Sequence, residues 1–281
     1  MKSEEKFVAT LLDDIAKGKL VLPSLPEVAY KIRKMVDDPR VSSDKLARLI
    51  GTDAALSARL IQVANSPFFR GLNTVENVRT AVTRLGGVCV RNVISSLVMS
   101  QLYRAKEITP IKKELHSLWV HGAKVAAISH VLAKRYTQLN ADEAMLAGLI
   151  HDIGSLPILK RALDFPDILA DKEALQRVIG YMHTDIGKLI LEDWHFPAEL
   201  LTVAAEHENL ERDTNPIADY TDIVIIANLH SHIGKENNKY ATTDWNKVPA
   251  FAKLGLTPEQ SIATMTEAQK EIAEVQKLFT A

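Results

Sequence analysis

The chain has 281 residues, 47% of them hydrophobic and 25% charged, with a net charge of -1. That is the composition of a globular protein with room for one large domain or two ordinary ones, and it excludes a global electrostatic pull toward nucleic acid or anionic lipid. The single cysteine, Cys89, excludes intramolecular disulfides and reads as a small core residue of a reducing compartment. No apolar run reaches spanning length, and the start MKSEEKFVATLLDD is too charged for a signal peptide. The expected location is therefore cytoplasmic, with no membrane partner. Sparse glycine, prolines placed between periodic segments and only 6% aromatic residues favour an all-α chain.

Residues 4–18 read as a mixed-charge helix closed near Gly18. In LPSLPEV, two prolines hold an extended approach to a helix from Glu27 to Val36, stopped by Asp37-Asp38-Pro39. Ser43, Asp53 and Thr74 are the predicted N-caps of three short helices, which carry Leu46 and Ile50, Leu56 and Leu60, and Val78 and Val82. Asn65-Ser66-Pro67 breaks the second of these, and Phe68-Phe69 anchors the following loop. Gly86-Gly87 ends the third, and a helix from Val88 to Tyr103, apolar on several sides, should be central. No glycine-rich phosphate loop and no internal repeat occur.

The second half opens near Pro110 with a helix from about Ile111 to Tyr136, whose stripe is Leu118, His121, Val125, Ile128 and Leu132. His121 thus occupies a core-facing position, whereas His116 and His130 fall off that line. Asn140 and Glu143 predict a capping box and a helix from Ala141, which Gly154, in a left-handed cap, and Pro157 should end. His151 and Asp152 would then sit in the last turn of an almost wholly apolar helix. A loop or short helix over 158–169 precedes a long helix from Asp171 to Asp193 that presents Ile179, His183, Ile186 and Ile190. After the Trp194–Pro197 turn, a helix from Ala198 to Asn209 groups Leu200, Ala204 and His207. Thr221 to Ile233 carries Val224, Ile225, Asn228 and His232, and its length makes it a helix despite a strand-like composition. Residues 235–256 look like an exposed irregular connection, and Thr257-Pro258-Glu259-Gln260 starts a helix to Phe279 that docks on the body or on a second copy.

A carboxylate at a helix C-terminus faces negative partial charge, and apolar neighbours add a desolvation cost. A bound cation relieves both, and histidine beside aspartate is suitable chemistry for one. Taken singly, His121, His151, His183 and His207 each read as a satisfied core histidine. Four imidazoles from four helices, gathered near one another, would need a cation or good hydrogen-bond partners, and Asp152 could bridge two ions among them. Their separation along the chain leaves open whether they meet.

His121, His151-Asp152 and the later histidines resemble the H…HD…D pattern of the HD superfamily of metal-dependent phosphohydrolases. The resemblance is closest to its HDOD branch, the HD-related output domain. It is carried by LPSLPEV at 22–28, GTDAALSARLIQVANSPFF at 51–69, TAVTRLGG at 80–87, LWVHGAKVA at 118–126, GLIHDIG at 148–154 and HTDIGKLILEDWHFP at 183–197. It implies an all-α HDOD unit over 20–234, divided into a helical subdomain (20–107) and an HD-like bundle (108–234). Residues 1–19 precede the unit as a helix, and 235–281 add a connection and a C-terminal helix.

On that resemblance His121, His151 and Asp152 match the first three metal-ligand positions, and His183 and His207 match ligands of members with two or three metals. The metal would be a divalent ion of iron, manganese, nickel, magnesium or zinc, or there would be none. Three departures matter. Asn228 stands where the final aspartate belongs, which removes one negative charge; even losses outside the immediate ligands cost roughly 10–100-fold in metal affinity. Ser155 replaces the lysine that often follows HDxG, which removes a cation near a transferring phosphoryl group. Glu206 stands at the first of two consecutive histidines, and no GYP motif follows His207.

The implied function is a bacterial signalling output domain that acts by contact with a partner protein or a ligand, with a degenerate metal site and little or no catalysis. The alternative is a divalent-metal phosphohydrolase acting on a nucleotide or cyclic dinucleotide. With no sensor, receiver or GGDEF-like segment recognised, the signal should arrive through a partner or small ligand. A nucleotide would offer phosphates to Arg59, Arg79, Arg84 and Arg91, for which solvated faces are the simpler explanation, and a homodimer is compatible with the C-terminal helix.

Overall fold

The structure is a computed structural model that describes residues 3–23, 27–36, 38, 41–69, 71, 73–103, 109–235 and 239–280. It is all-α, with no strand among the described residues. Pro26, Asp37, Pro39 and the subdomain boundary at 107 lie outside the described residues.

The first half comprises α1 (Ser3–Ala16), α2 (Glu27–Val36), α3 (Ser43–Ile50), α4 (Ala54–Ala64), α5 (Val78–Leu85) and α6 (Gly87–Tyr103). The caps of α3 and α5 are Ser42, one residue before the predicted Ser43, and Asn77, three residues after the predicted Thr74; they accept from Lys45 N and Thr80 N. Asp53 caps α4 as its spacing predicts. The Asn65 side chain ties the loop after α4 by exchanging two hydrogen bonds with the Val75 backbone, at 2.7 and 2.8 Å. α1 does not pack on this half but on the bundle: Phe7 and Leu11 are fully buried, and Phe7 meets Phe165 at 4.9 Å between rings.

The bundle comprises α7 (Lys112–Tyr136), α8 (Ala141–Ile150), α9 (Ser155–Ala162), α10 (Pro166–Ala170), α11 (Lys172–Asp193), α12 (Ala198–Glu206) and α13 (Tyr220–Ser231). α7 is its axis, about 37 Å long at 1.5 Å per residue, and α8 lies along it. Their approach is set by small residues. A Cβ on Gly148 would lie 2.8 Å from Ala126 Cα, and one on Gly122 would lie 3.1 Å from the Leu149 carbonyl oxygen.

The C-terminal segment adds α14 (Pro249–Lys253), α15 (Pro258–Glu267) and α16 (Gln269–Thr280). The connection predicted to be exposed and irregular is instead docked, because Tyr240, Val248, Phe251, Leu254 and Leu256 are buried against the bundle. The single predicted helix to Phe279 is split at Ala268, which lets α16 lie against α7, where Trp119 donates to the Phe279 carbonyl at 3.1 Å. One continuous apolar core runs through all these parts. Among the described residues no single helix is long and apolar enough to cross a membrane; α5 and α6 together reach the length but meet at 114°.

Candidate metal centre

The turn after α8 is where the local prediction needs correction. α8 ends at Ile150, so His151 is its C-cap, and Asp152 lies in the turn beyond it rather than within the last helical turn. Gly154 is not a left-handed cap: its φ is -65°, and Pro157 sits inside the first turn of α9 instead of stopping α8. Gly154 is needed for another reason. A Cβ there would lie 1.9 Å from the His183 carbonyl oxygen, so only glycine lets α11 close on the turn. Farther along α11, Gly187 faces Ala204 of α12, where a Cβ on Gly187 would lie 3.4 Å from the Ala204 Cβ. Small residues thus fix three helix approaches, and each approach brings one more histidine to Asp152. Glu143 makes no capping box; it is spent on Arg91, at 3.3 Å.

His121, His151, His183 and His207 converge on the one carboxylate. Asp152 Oδ2 is 3.4 Å from His121 Nε2 and 3.3 Å from His151 Nε2. Asp152 Oδ1 is 3.3 Å from both His183 Nε2 and His207 Nε2. A further carboxylate joins the second pair: Glu208 Oε1 lies 3.6 Å from His207 Nε2 and 3.9 Å from His183 Nε2. The donor atoms fall into two groups, His121–His151–Asp152 and Asp152–His183–His207–Glu208, each with its ligand atoms within 4.8 Å of one another.

The outer nitrogens assign the tautomers. His151 Nδ1 lies 2.7 Å from the Gly148 carbonyl, His183 Nδ1 2.7 Å from that of Ile179, and His207 Nδ1 3.0 Å from that of Val203. A carbonyl accepts only, so each Nδ1 carries the proton. His121 Nδ1 meets Ser231 Oγ at 3.3 Å, and since that hydroxyl donates to the Asn228 carbonyl at 2.7 Å, His121 donates too. In the neutral rings every Nε2 is therefore a lone pair turned inward. The two Nε2 pairs at 3.2 Å cannot then be hydrogen bonds, because neither partner has a proton to give. Four nitrogen lone pairs and a carboxylate face one another without a donor among them. A pair of divalent cations is the chemistry that satisfies such a set, and carbonyls behind metal-bound imidazoles are the usual orienting partners. The residues fit the group.

Electrostatics agree. Burial raises the Asp152 carboxyl, but positive charge on the surrounding rings, His151 foremost, outweighs it and holds the group well below its ordinary range, so the centre favours cationic charge, whether carried by protons or by a metal. Burial lowers His121 and His183, with Asp152 opposing, so these rings are neutral as ligation requires. Glu208 is held down at about 2: burial opposes ionisation, but Lys239 and His207 outweigh it. Its other contacts come from the C-terminal segment, as Lys239 pairs with Oε1 and the Tyr240 hydroxyl donates to Oε2 at 2.8 Å.

Asn228 is joined to Glu208 of this centre through the Tyr240 hydroxyl. Its Nδ2 donates to the Tyr240 hydroxyl at 3.2 Å, and its buried Oδ1 has no hydrogen-bond partner. Glu206 turns away to accept from Arg212 Nε at 2.6 Å. Ser155 is buried at the start of α9. The four arginines do not meet the centre: Arg79 pairs with Asp44, Arg91 with Glu143, and Arg59 and Arg84 donate to main-chain carbonyls. Sequence reasoning missed Glu208, although its signal was present as a carboxylate directly after His207 at a helix end. It also missed His232, whose ring stands 5.3 Å from that of His121 and is lowered to about 4 by burial and then by Lys235 and Lys239.

Known proteins share this fold. A solved structure from Shewanella amazonensis, provisionally named a metal-dependent phosphohydrolase, is 29% identical, with a TM-score of 0.84 over 99% of this chain and 100% of that one. An HDOD domain protein of unknown function from Geobacter sulfurreducens shares the fold at 22% identity and a TM-score of 0.73, with 99% of each chain covered. A curated relative, an uncharacterized protein of Treponema pallidum, is 22% identical over 236 residues, which are 79% of this chain but 43% of the relative. This chain therefore spans less than half the length of that relative. The HDOD domain family model matches residues 22–210, which include His121, His151-Asp152, His183 and His207-Glu208. The chain belongs to the HDOD domain family.

Proposed function

We propose that the chain is a signalling output domain that holds two divalent ions at Asp152 and acts by contact with a partner protein or small ligand, with little or no turnover. His121, His151 and Asp152 would hold one ion; Asp152, His183, His207 and Glu208 would hold the other. When bound, such ions supply Lewis-acid chemistry toward phosphoryl oxygens. The observation that carries the reading is the engagement of Glu208, which the C-terminal segment already grips through Lys239 and Tyr240. A centre closed in this way, with an amide at position 228, is suited to holding ions as a structural and regulatory core.

A metal-dependent phosphohydrolase is the second reading. It is favoured by the two donor groups sharing one carboxylate, and by Lys235 and Lys239 near the centre, which supply the positive charge absent at Ser155. The test is to strip the chain with a chelator, reload it with manganese, iron or nickel, and assay a general phosphodiester and cyclic dinucleotides. The signalling reading predicts retained metal with no turnover above that of the free ions. Metal-dependent turnover that disappears in Asp152→Ala would replace it with the phosphohydrolase reading. Asn228→Asp should raise metal affinity about tenfold by restoring the missing charge; unchanged metal content and activity would remove Asn228 from the ligand set.

A further inference from the structure

The two halves of the metal centre differ in one respect: one of them already meets a cation of the protein's own. The Lys239 ammonium pairs with Glu208 Oε1, the same oxygen that faces His183 and His207. In the other half, Asp152 Oδ2 meets His121 and His151, and no lysine pairs with it among the described residues. Lys239 reaches the centre from the 235–256 connection, whose Tyr240, Val248 and Phe251 are buried against the bundle.

The positions of the ligand atoms match this difference. Bonds of about 2.0–2.2 Å to a single tetrahedral ion set its ligand atoms about 3.3–3.6 Å apart. Asp152 Oδ1 lies 3.3 Å from His183 Nε2 and from His207 Nε2, and the two nitrogens are 3.2 Å apart, so these three are already in place. Glu208 Oε1 is set back, 3.6 Å from His207 Nε2 and 3.9 Å from His183 Nε2, and it must move inward to complete the set. Its carboxylate is gripped at two points that differ in kind. At Oε2 the Tyr240 hydroxyl donates at 2.8 Å and accepts from Asn228 Nδ2 at 3.2 Å, so its one proton is committed to Glu208. Both of those side chains are buried, and this contact is uncharged and leaves Oε1 open. Lys239, by contrast, holds Oε1 from a flexible four-carbon stem, and its side chain is 47% exposed. It can leave for water without opening a cavity.

We propose that Lys239 competes with the second ion for Glu208 Oε1: it neutralises this carboxylate in metal-free protein and gives way when a divalent ion binds there, so that filling of this half is transmitted to the C-terminal connection. The inference rests on the two-ion reading and names how its second half is regulated. Charge decides the competition. Two divalent ions bring four positive charges to the carboxylates of Asp152 and Glu208, so an ammonium on an oxygen bound to one of the ions is surplus and is repelled. Tyr240 carries no charge and stays on Oε2, so Glu208 keeps its place while its cation is exchanged.

The test is calorimetric titration of the chelator-stripped full chain with zinc, joined to acetylation of its lysines read by mass spectrometry with and without zinc. Lys239→Met should strengthen one of the two binding steps about tenfold, the scale on which groups behind the ligands act on metal affinity, and leave the other unchanged. Lys239→Arg keeps the competing charge and should stay near wild type. Lys235→Met removes a charge that also acts on the centre through Asp152, and should strengthen both steps alike and by less. In the wild type, zinc should raise acetylation of Lys239 several-fold and leave that of Lys17, paired with Asp13 at 2.8 Å, unchanged. Binding by Lys239→Met that equals or falls below that of the wild type, a gain of the same size and selectivity in Lys235→Met, or acetylation of Lys239 that zinc does not alter would each overturn the proposal while two ions still bind. A chain that takes up no second ion, as wild type or as Lys239→Met, would overturn the two-ion reading and this inference together.

Discussion

Two buried polar clusters lie near opposite ends of α13, and they solve the problem of buried charge in opposite ways. Around Arg212, donors and acceptors are matched. Its guanidinium reaches Glu206 at 2.6 Å, Asp219 at 2.7 Å and Asp222 at 3.2 Å, and Lys253 from α14 meets Asp222 at 3.3 Å. Around Asp152 there are acceptors only, once the carbonyls behind the rings have claimed the Nδ1 protons. The first cluster is complete as a protein structure and pins the C-terminal segment to the bundle. The second has no donor of its own when its rings are neutral, and a cation would complete it. Burial of charge by itself therefore does not mark a functional site; an uncompensated set of acceptors does.

The contrast can be broken at either end. The largest effect is expected at Arg212: Arg212→Met leaves three carboxylates without their main partner, at about 3–5 kcal/mol in chemical unfolding. Its stability loss should be the same with and without added metal. Asp152→Asn should act the other way, lowering metal affinity at both halves by about 100-fold or more while changing the stability of the metal-free protein little. Metal analysis after dialysis, alongside melting in chelator, separates the two outcomes.

A smaller effect is expected at Ser231, which touches no ligand atom of the centre but holds the His121 ring through its hydroxyl. Ser231→Ala should weaken the His121–His151–Asp152 half about tenfold and spare the other half, seen as a change in only one of two binding steps. The smallest effect concerns pH. Burial, and then Lys124, lower His230 from 6.5 to about 4. The unfolded chain takes up that proton first, so His230 contributes stability above pH 6.5 that is lost as the pH falls through about 4. In metal-free protein, melting temperature should decline over this window, and less so in His230→Gln; a decline of equal size would remove His230 as its cause.

Much of the fold was legible because it rests on local signals. Asp53, Asn140 and Thr257 all cap the helices their spacing announces. His121, His183 and His207 were legible as inward positions on periodic stripes, and Asp152 as the partner of His151, although it lies beyond the helical turn expected for it. What was not legible depends on contacts distant in sequence. The role of Gly154 is set by the backbone of α11, which no neighbour of Gly154 in the chain reveals. The 235–256 connection is polar enough to look solvated, yet Tyr240 and Phe251 anchor it. Glu208 escaped notice because its partners, Lys239 and Tyr240, come from that same segment. Glu206 drew attention through its position, although Arg212 already claims it.

The most direct measurement is a calorimetric titration of the chelator-stripped chain with manganese or zinc, read beside its melting temperature. Two equivalents bound per chain, with a rise in melting temperature that Asp152→Asn abolishes, is the predicted result. A stripped chain that binds neither ion and melts at the same temperature in chelator and in metal would contradict the account, since the inward lone pairs would then be satisfied in some other way.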